Sequence, residues 1–129
     1  MLARRIALLG LAAFFLAGGI AHFLYAEFFV AIMPPYLPAH LALVHVSGVL
    51  EILGGLGVLH AATRRAAGVG LLVLVVAVFP ANLHMALHPE QFAVFPSWAL
   101  YARLPLQLVI LAWVWWAAGM GAFSGRRRK

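Results

Sequence analysis

Leu41-Ala42-Leu43-Val44-His45-Val46-Ser47-Gly48-Val49-Leu50-Glu51-Ile52-Leu53-Gly54-Gly55-Leu56-Gly57-Val58-Leu59 is the stretch that decides how this chain is read. It is apolar over the length that crosses a bilayer, and it carries one formal charge. In lipid a backbone must satisfy its own hydrogen bonds, so the segment is expected to be a helix. Glu51 stands near its middle, in a chain with only three acidic residues. Even on the lower scales, a charge at a bilayer centre costs about 2.5–3.5 kcal/mol. Such a carboxylate needs a partner or a polar cavity.

The rest of the chain agrees with a membrane setting. Of its 129 residues, 66% are hydrophobic and 9% charged, with a mean hydropathy of +1.04. A soluble domain is about half apolar and about a quarter charged. The fold class expected is all-α, an integral membrane bundle of four transmembrane helices in a single domain, residues 1–129. The spans run from about 5 to 28, 39 to 60, 65 to 87 and 98 to 120. Between them lie a stiff joint at Met33-Pro34-Pro35-Tyr36-Leu37-Pro38, a short polar turn at Ala61-Ala62-Thr63-Arg64-Arg65, and a longer, partly aromatic loop from His88 to Ser97.

Charge sets the orientation. Arg4, Arg5, Arg64, Arg65, Arg126, Arg127, Arg128 and Lys129 are eight of the nine basic residues, and all fall on one side of an even-numbered topology. By the positive-inside rule both termini are cytoplasmic, in a bacterial inner membrane. The Arg126–Lys129 run then reads as a topology and anionic-lipid anchor, not as a nucleic-acid site. Trp113, Trp115 and Trp116 fit an interfacial belt. Arg4-Arg5 before an apolar run imitates a signal peptide, but the run is long and no small-x-small site follows it, so the first helix is expected to be retained. Cysteine is absent, which excludes thiolate ligands and dithiol exchange by this chain.

The polar residues within the spans are unevenly placed. His22, His45, Ser47, Glu51, Asn82, Arg103 and Gln107 all fall in the halves away from the termini. Helical spacing puts His45, Gly48, Glu51 and Gly55 on one stripe, Gly18 and His22 on another, and Arg103 with Gln107 on a third. Gly18, Gly19, Gly48, Gly54 and Gly55 allow close helix approach. Pro80 and Pro105 are expected to kink their spans and to free the carbonyls of Val76 and Tyr101. The pattern predicts an outward-facing polar pocket over an apolar plug, with Glu51 paired to Arg103. His22, His45, Glu51, Asn82, Arg103 and Gln107 are the candidate ligand-binding residues. Glu51, His22 and His45 are the candidates for handling protons. An ion pair that only fixes helix register is the competing reading. Two histidines with Glu51 match no metal motif, so no metal site or haem is expected.

Five strings of the chain resemble those of the DoxX family of small four-helix bacterial membrane proteins. They are Ala17-Gly18-Gly19-Ile20-Ala21-His22-Phe23; Ile32-Met33-Pro34-Pro35-Tyr36-Leu37-Pro38; Ser47-Gly48-Val49-Leu50-Glu51-Ile52-Leu53-Gly54-Gly55-Leu56-Gly57; Val78-Phe79-Pro80-Ala81-Asn82; and Arg103-Leu104-Pro105-Leu106-Gln107. The resemblance implies an association with membrane redox or oxidative-stress complexes, with His22, Glu51, Asn82, Arg103 and Gln107 as motif positions. It leads to the expectation of a quinone- or lipid-like ligand in the pocket and of a redox partner subunit in the membrane. The alternatives are a non-catalytic accessory or assembly subunit, a homo-oligomer, and a small-solute or proton carrier. Four helices without an inverted repeat argue against a conventional transporter.

Overall fold

A computed structural model describes residues 2–92 and 95–121. Within them the chain is all-α, and four helices are long and apolar enough to cross a membrane: Leu2–Leu24, His40–Gly57, Arg64–Leu87 and Ser97–Ala117. Ala93 and Val94 of the last loop and the basic run Arg126–Lys129 lie outside the described residues.

The helices are α1 (Leu2–Leu24), α2 (Ala26–Ala31), α3 (His40–Gly57), α4 (Arg64–Ala77), α5 (Phe79–Leu87) and α6 (Ser97–Ala117), with a 3-10 turn at Pro89–Phe92. Two boundaries differ from the sequence reading. The first span ends at Leu24, because Tyr25 leaves helical geometry (φ −122°, ψ 38°) and the chain restarts as the short α2. The third span is interrupted at Val78 and resumes as α5, with Pro80 in its first turn. Proline is tolerated there because its missing N–H would have no helical partner anyway. The expected kink is therefore a break between two helices. Pro105, by contrast, sits inside an unbroken α6.

The bundle is held most tightly between α1 and α3, where glycines meet. A Cβ added to Gly19 would lie 2.7 Å from the Gly48 carbonyl oxygen, and one added to Gly48 would lie 2.8 Å from His22 Cβ. Packing continues from α3 to α4, from α4 to α6, from α6 back to α1, and from α5 to α6. At the end that carries the termini, Leu11, Phe15, Val58, Leu71 and Val114 form a buried apolar core. A second cluster of Ile32, Met85, Phe92 and Leu100 packs the loop end.

Basic side chains close helix ends near the termini. Arg64 donates from Nε to the Val58 carbonyl at 2.8 Å, and from Nη2 to that of Leu59 at 3.3 Å. Arg4 Nε donates to the Ala117 carbonyl at 3.0 Å. These cations meet the negative ends of α3 and α6, where unpaired carbonyls favour them. Trp113 also departs from its expected place in an interfacial belt. Its indole N–H donates to the Ala7 carbonyl at 3.1 Å and ties α6 to α1, whereas Trp115 and Trp116 are exposed. Large apolar side chains, Leu9, Leu53, Val73 and Leu108 among them, are exposed along the four long helices.

Candidate functional site

Between the two apolar clusters lies a cavity of about 500 Å³. Its walls come from α1, α3, the α4–α5 junction and α6, and from Phe29, Ile32, Met33 and Leu37 beside the proline joint. His22, Glu51, Asn82, Arg103 and Gln107 all line it, together with Ser47. His45 does not line the cavity. Its ring stacks on Phe23, with centroids 5.1 Å apart. Both sit on the α1–α3 seam, but His45 has turned to the side away from the cavity.

The expected Glu51–Arg103 pair is not formed. Glu51 Oε2 lies 2.8 Å from His22 Nδ1, the one carboxylate contact with a basic side chain among the described residues. The reason is the glycine seam. It draws α3 onto α1 with Glu51 opposite Gly18, where an added Cβ would lie 3.4 Å from Glu51 Oε1, and the His22 ring reaches back one turn to the Gly18 carbonyl and so meets the carboxylate. Arg103 stands on α6, which packs on α1, α4 and α5 and leaves the cavity between itself and α3.

His22 Nδ1 also lies 2.7 Å from the Gly18 carbonyl oxygen. A carbonyl only accepts, so Nδ1 carries the proton. That N–H is aimed at Gly18, and Glu51 Oε2 sits beside it, buried and without a hydrogen-bond partner of its own among the described residues. The contact is a close charge-to-dipole or charge-to-charge approach off the line of the N–H. The opposite face of the imidazole is covered by Phe29, stacked at 4.0 Å between centroids.

Across the cavity the polar groups form a chain with one direction. Arg103 Nε donates to Asn82 Oδ1 at 3.2 Å, Asn82 Nδ2 donates to Gln107 Oε1 at 2.9 Å, and Gln107 Nε2 donates to the Val75 carbonyl at 2.8 Å. A guanidinium can only donate and a carbonyl only accept, so both amide orientations follow from the two ends. The Val75 carbonyl belongs to the last turn of α4, where helical partners run out. The backbone N–H groups that cap this turn serve Leu74 and Val76. A side chain from another helix therefore supplies the bond, at Val75 and not at the Val76 carbonyl expected from Pro80.

The other four histidines do not line the cavity; His60 Nδ1 accepts from the Ala62 backbone N–H at 3.3 Å in the turn after α3. His40 Nε2 lies 3.1 Å from the Pro34 carbonyl oxygen and ties the proline joint to α3. His84 and His88 lie ring to ring at 4.4 Å, with Phe92 at the edge of His84. No cluster of metal-ligating side chains occurs among the described residues.

The sequence reading missed the apolar side of the site. Met33 and Leu37 line the cavity from the segment read only as a joint, and Phe29 lines it from α2, just beyond the expected first span. The pairing of His22 with Glu51 had a signal: Gly18-Gly19 opposite Gly48 fixes which faces of α1 and α3 meet.

A family model described as Domain of unknown function (DUF8561) matches residues 11–118, so the chain belongs to that family. This overturns the resemblance to the DoxX family. The strings that carried it are small-residue, proline and buried-polar patterns, which any tight polytopic bundle needs for helix contact and interruption. The comparisons with curated proteins and with solved structures found no match.

Proposed function

We propose that this protein binds an amphiphile, a quinone- or lipid-like molecule, within a cytoplasmic membrane, with both termini on the cytoplasmic side. The observation that carries the reading is the cavity of about 500 Å³ with its two kinds of wall. That volume suits a small organic ligand. Phe14, Phe15, Leu106 and Ile110 offer an apolar surface for a tail or ring substituent. His22, Ser47, Asn82 and Arg103 offer hydrogen-bonding groups for a head. The Gln107 amide is used in capping the Val75 carbonyl, but the terminal nitrogens of Arg103 and the Ser47 hydroxyl are not used in the chain from Arg103 to Val75 and so face the cavity as groups for a head.

The route of entry follows from the same geometry. Helix α3 packs closely on α1 and α4 but not on α5, and Leu43 and Val44 of α3 line the cavity together with Val78 and Ala81 of the α4–α5 region. A ligand dissolved in the bilayer reaches the cavity through that gap without crossing water. Glu51 and His22 remain the groups suited to exchange a proton with a bound head.

The test is to purify the protein from its own membrane in a neutral detergent and identify what accompanies it by mass spectrometry. One amphiphile at near-stoichiometric amount is expected. It should be lost from Ala81→Phe, whose ring fills the cavity, while thermal unfolding stays close to wild type. An unchanged amount in Ala81→Phe would refute the cavity as its site. A stoichiometric protein partner with no small molecule would favour an accessory subunit instead.

A further inference from the structure

We infer that the head group bound in this cavity is anionic, a carboxylate or phosphate carried on an apolar chain, and that Arg103 receives it. This rests on the reading of the cavity as an amphiphile site and narrows it to one chemical class.

The argument begins with what Arg103 lacks. Its guanidinium lines the cavity and is half-buried, and its one hydrogen bond among the described residues runs from Nε to the neutral amide of Asn82. Behind Asn82 stand another amide, Gln107, and a backbone carbonyl. These dipoles orient the cation without neutralising it. Glu51, the acidic residue that lines the cavity, is held against His22. Glu27 and Glu90 are exposed, on α2 and on the 3-10 turn. No carboxylate lies within ion-pair distance of Arg103 among the described residues.

A guanidinium stays charged, and in a membrane segment such a charge ordinarily has a counter-charge. Here the side chain is also pre-positioned. Asn82 holds the Nε edge, which leaves the two terminal nitrogens, Nη1 and Nη2, without a protein partner among the described residues. That pair of parallel donors matches two oxygens of a carboxylate or phosphate. A quinone carbonyl presents one neutral acceptor and leaves the charge unmatched. The apolar wall of Leu106 and Ile110 on the same helix gives the chain attached to the anion a place to lie.

The experiment measures binding of four probes to the detergent-purified protein by native mass spectrometry: dodecanoate, dodecyl phosphate, dodecanol and inorganic phosphate. Both dodecyl anions should bind about ten-fold tighter than dodecanol, the margin of one charge-assisted bond over a neutral one. Inorganic phosphate should bind far more weakly than dodecyl phosphate. Arg103→Gln should bring the anions to within about two-fold of dodecanol, both measured on that same variant. Asn82→Asp gives Arg103 an internal counter-ion, so it should abolish the same preference with the cation still present. Equal binding of dodecanol and the two anions overturns the inference, as does a preference that survives both substitutions. Inorganic phosphate binding as tightly as dodecyl phosphate overturns the amphiphile and leaves a free-anion site. Failure of every dodecyl probe to bind sinks the parent reading of the cavity instead.

Discussion

Alanine placed at three glycines should have opposite effects, because the glycines differ in what surrounds them. At Gly19 a Cβ would meet the Gly48 carbonyl oxygen and Ile52 Cγ1, both at 2.7 Å, and the Ile52 backbone nitrogen at 3.1 Å. Carbon needs about 3.5 Å from a neighbouring heavy atom, so the deficit is roughly 0.8 Å against a partner that is partly backbone. Helix α3 must move away from α1 by a distance of that order. Forced overpacking of this kind costs about 1–3 kcal/mol. Gly48 is similar, with His22 Cβ at 2.8 Å and the Gly19 carbonyl oxygen at 3.0 Å. Gly70, on the exposed side of α4, has nothing within 4 Å. There the same methyl group only restricts the chain, and alanine should stabilise by up to about 1 kcal/mol. The assay is equilibrium unfolding in mixed micelles, with helicity followed by circular dichroism. The expected order is Gly70→Ala, then wild type, then Gly48→Ala and Gly19→Ala. If Gly19→Ala is as stable as Gly70→Ala, the α1–α3 seam is not in backbone contact and the explanation for the His22–Glu51 pairing fails with it.

The pairing has its own test, which follows from the same distances. His22→Ala leaves Glu51 Oε2 buried with no basic neighbour, so it should destabilise more than Glu51→Gln, which keeps an oxygen beside Nδ1 and removes the charge. In a double-mutant cycle with Glu51→Ala, the two losses should fall short of additivity by about 1 kcal/mol or more; strict additivity would mean the side chains do not interact. Orientation can be read from single cysteines, since the chain has none. Cysteine at the exposed Tyr36 should react with an impermeant maleimide added outside intact cells, and cysteine at Thr63 only after permeabilisation; the reverse labelling would invert the topology.

Much of the fold is legible because hydropathy and helix length are local properties. The four apolar runs of the sequence reappear as helices within a few residues of their expected bounds. Breaks were harder to place. Pro80 was visible, yet whether a proline kinks a helix or begins a new one depends on the groups that take up the orphaned carbonyls, here the Gln107 side chain on another helix. Partner choice was harder again. Glu51 and Arg103 looked complementary as charges, but the helix that reaches Glu51 is selected by glycine contacts. Arg103, Asn82 and Gln107 meet in one hydrogen-bonded chain, and the i, i+4 spacing of Arg103 and Gln107 survives through Pro105. His45 shared a stripe with Glu51 by spacing alone. Its stacking on Phe23 shows that a stripe wide enough to include both also spans the edge of the helix contact.

If the chain spans a membrane as proposed, the bond from Gln107 to the Val75 carbonyl bears on how it would be inserted. Before α6 arrives, the last turn of α4 would present that carbonyl to hydrocarbon, at a cost of several kcal/mol. Its neighbour Asn82 would be equally exposed, since its amide is satisfied from the same helix. Arg103, in turn, would enter lipid without the one side chain that holds it. Each of the last two spans carries the polar groups that the other requires. On the proposed membrane reading, the last two spans would enter the bilayer as one hairpin, while the glycine-matched first and second spans could associate ahead of them.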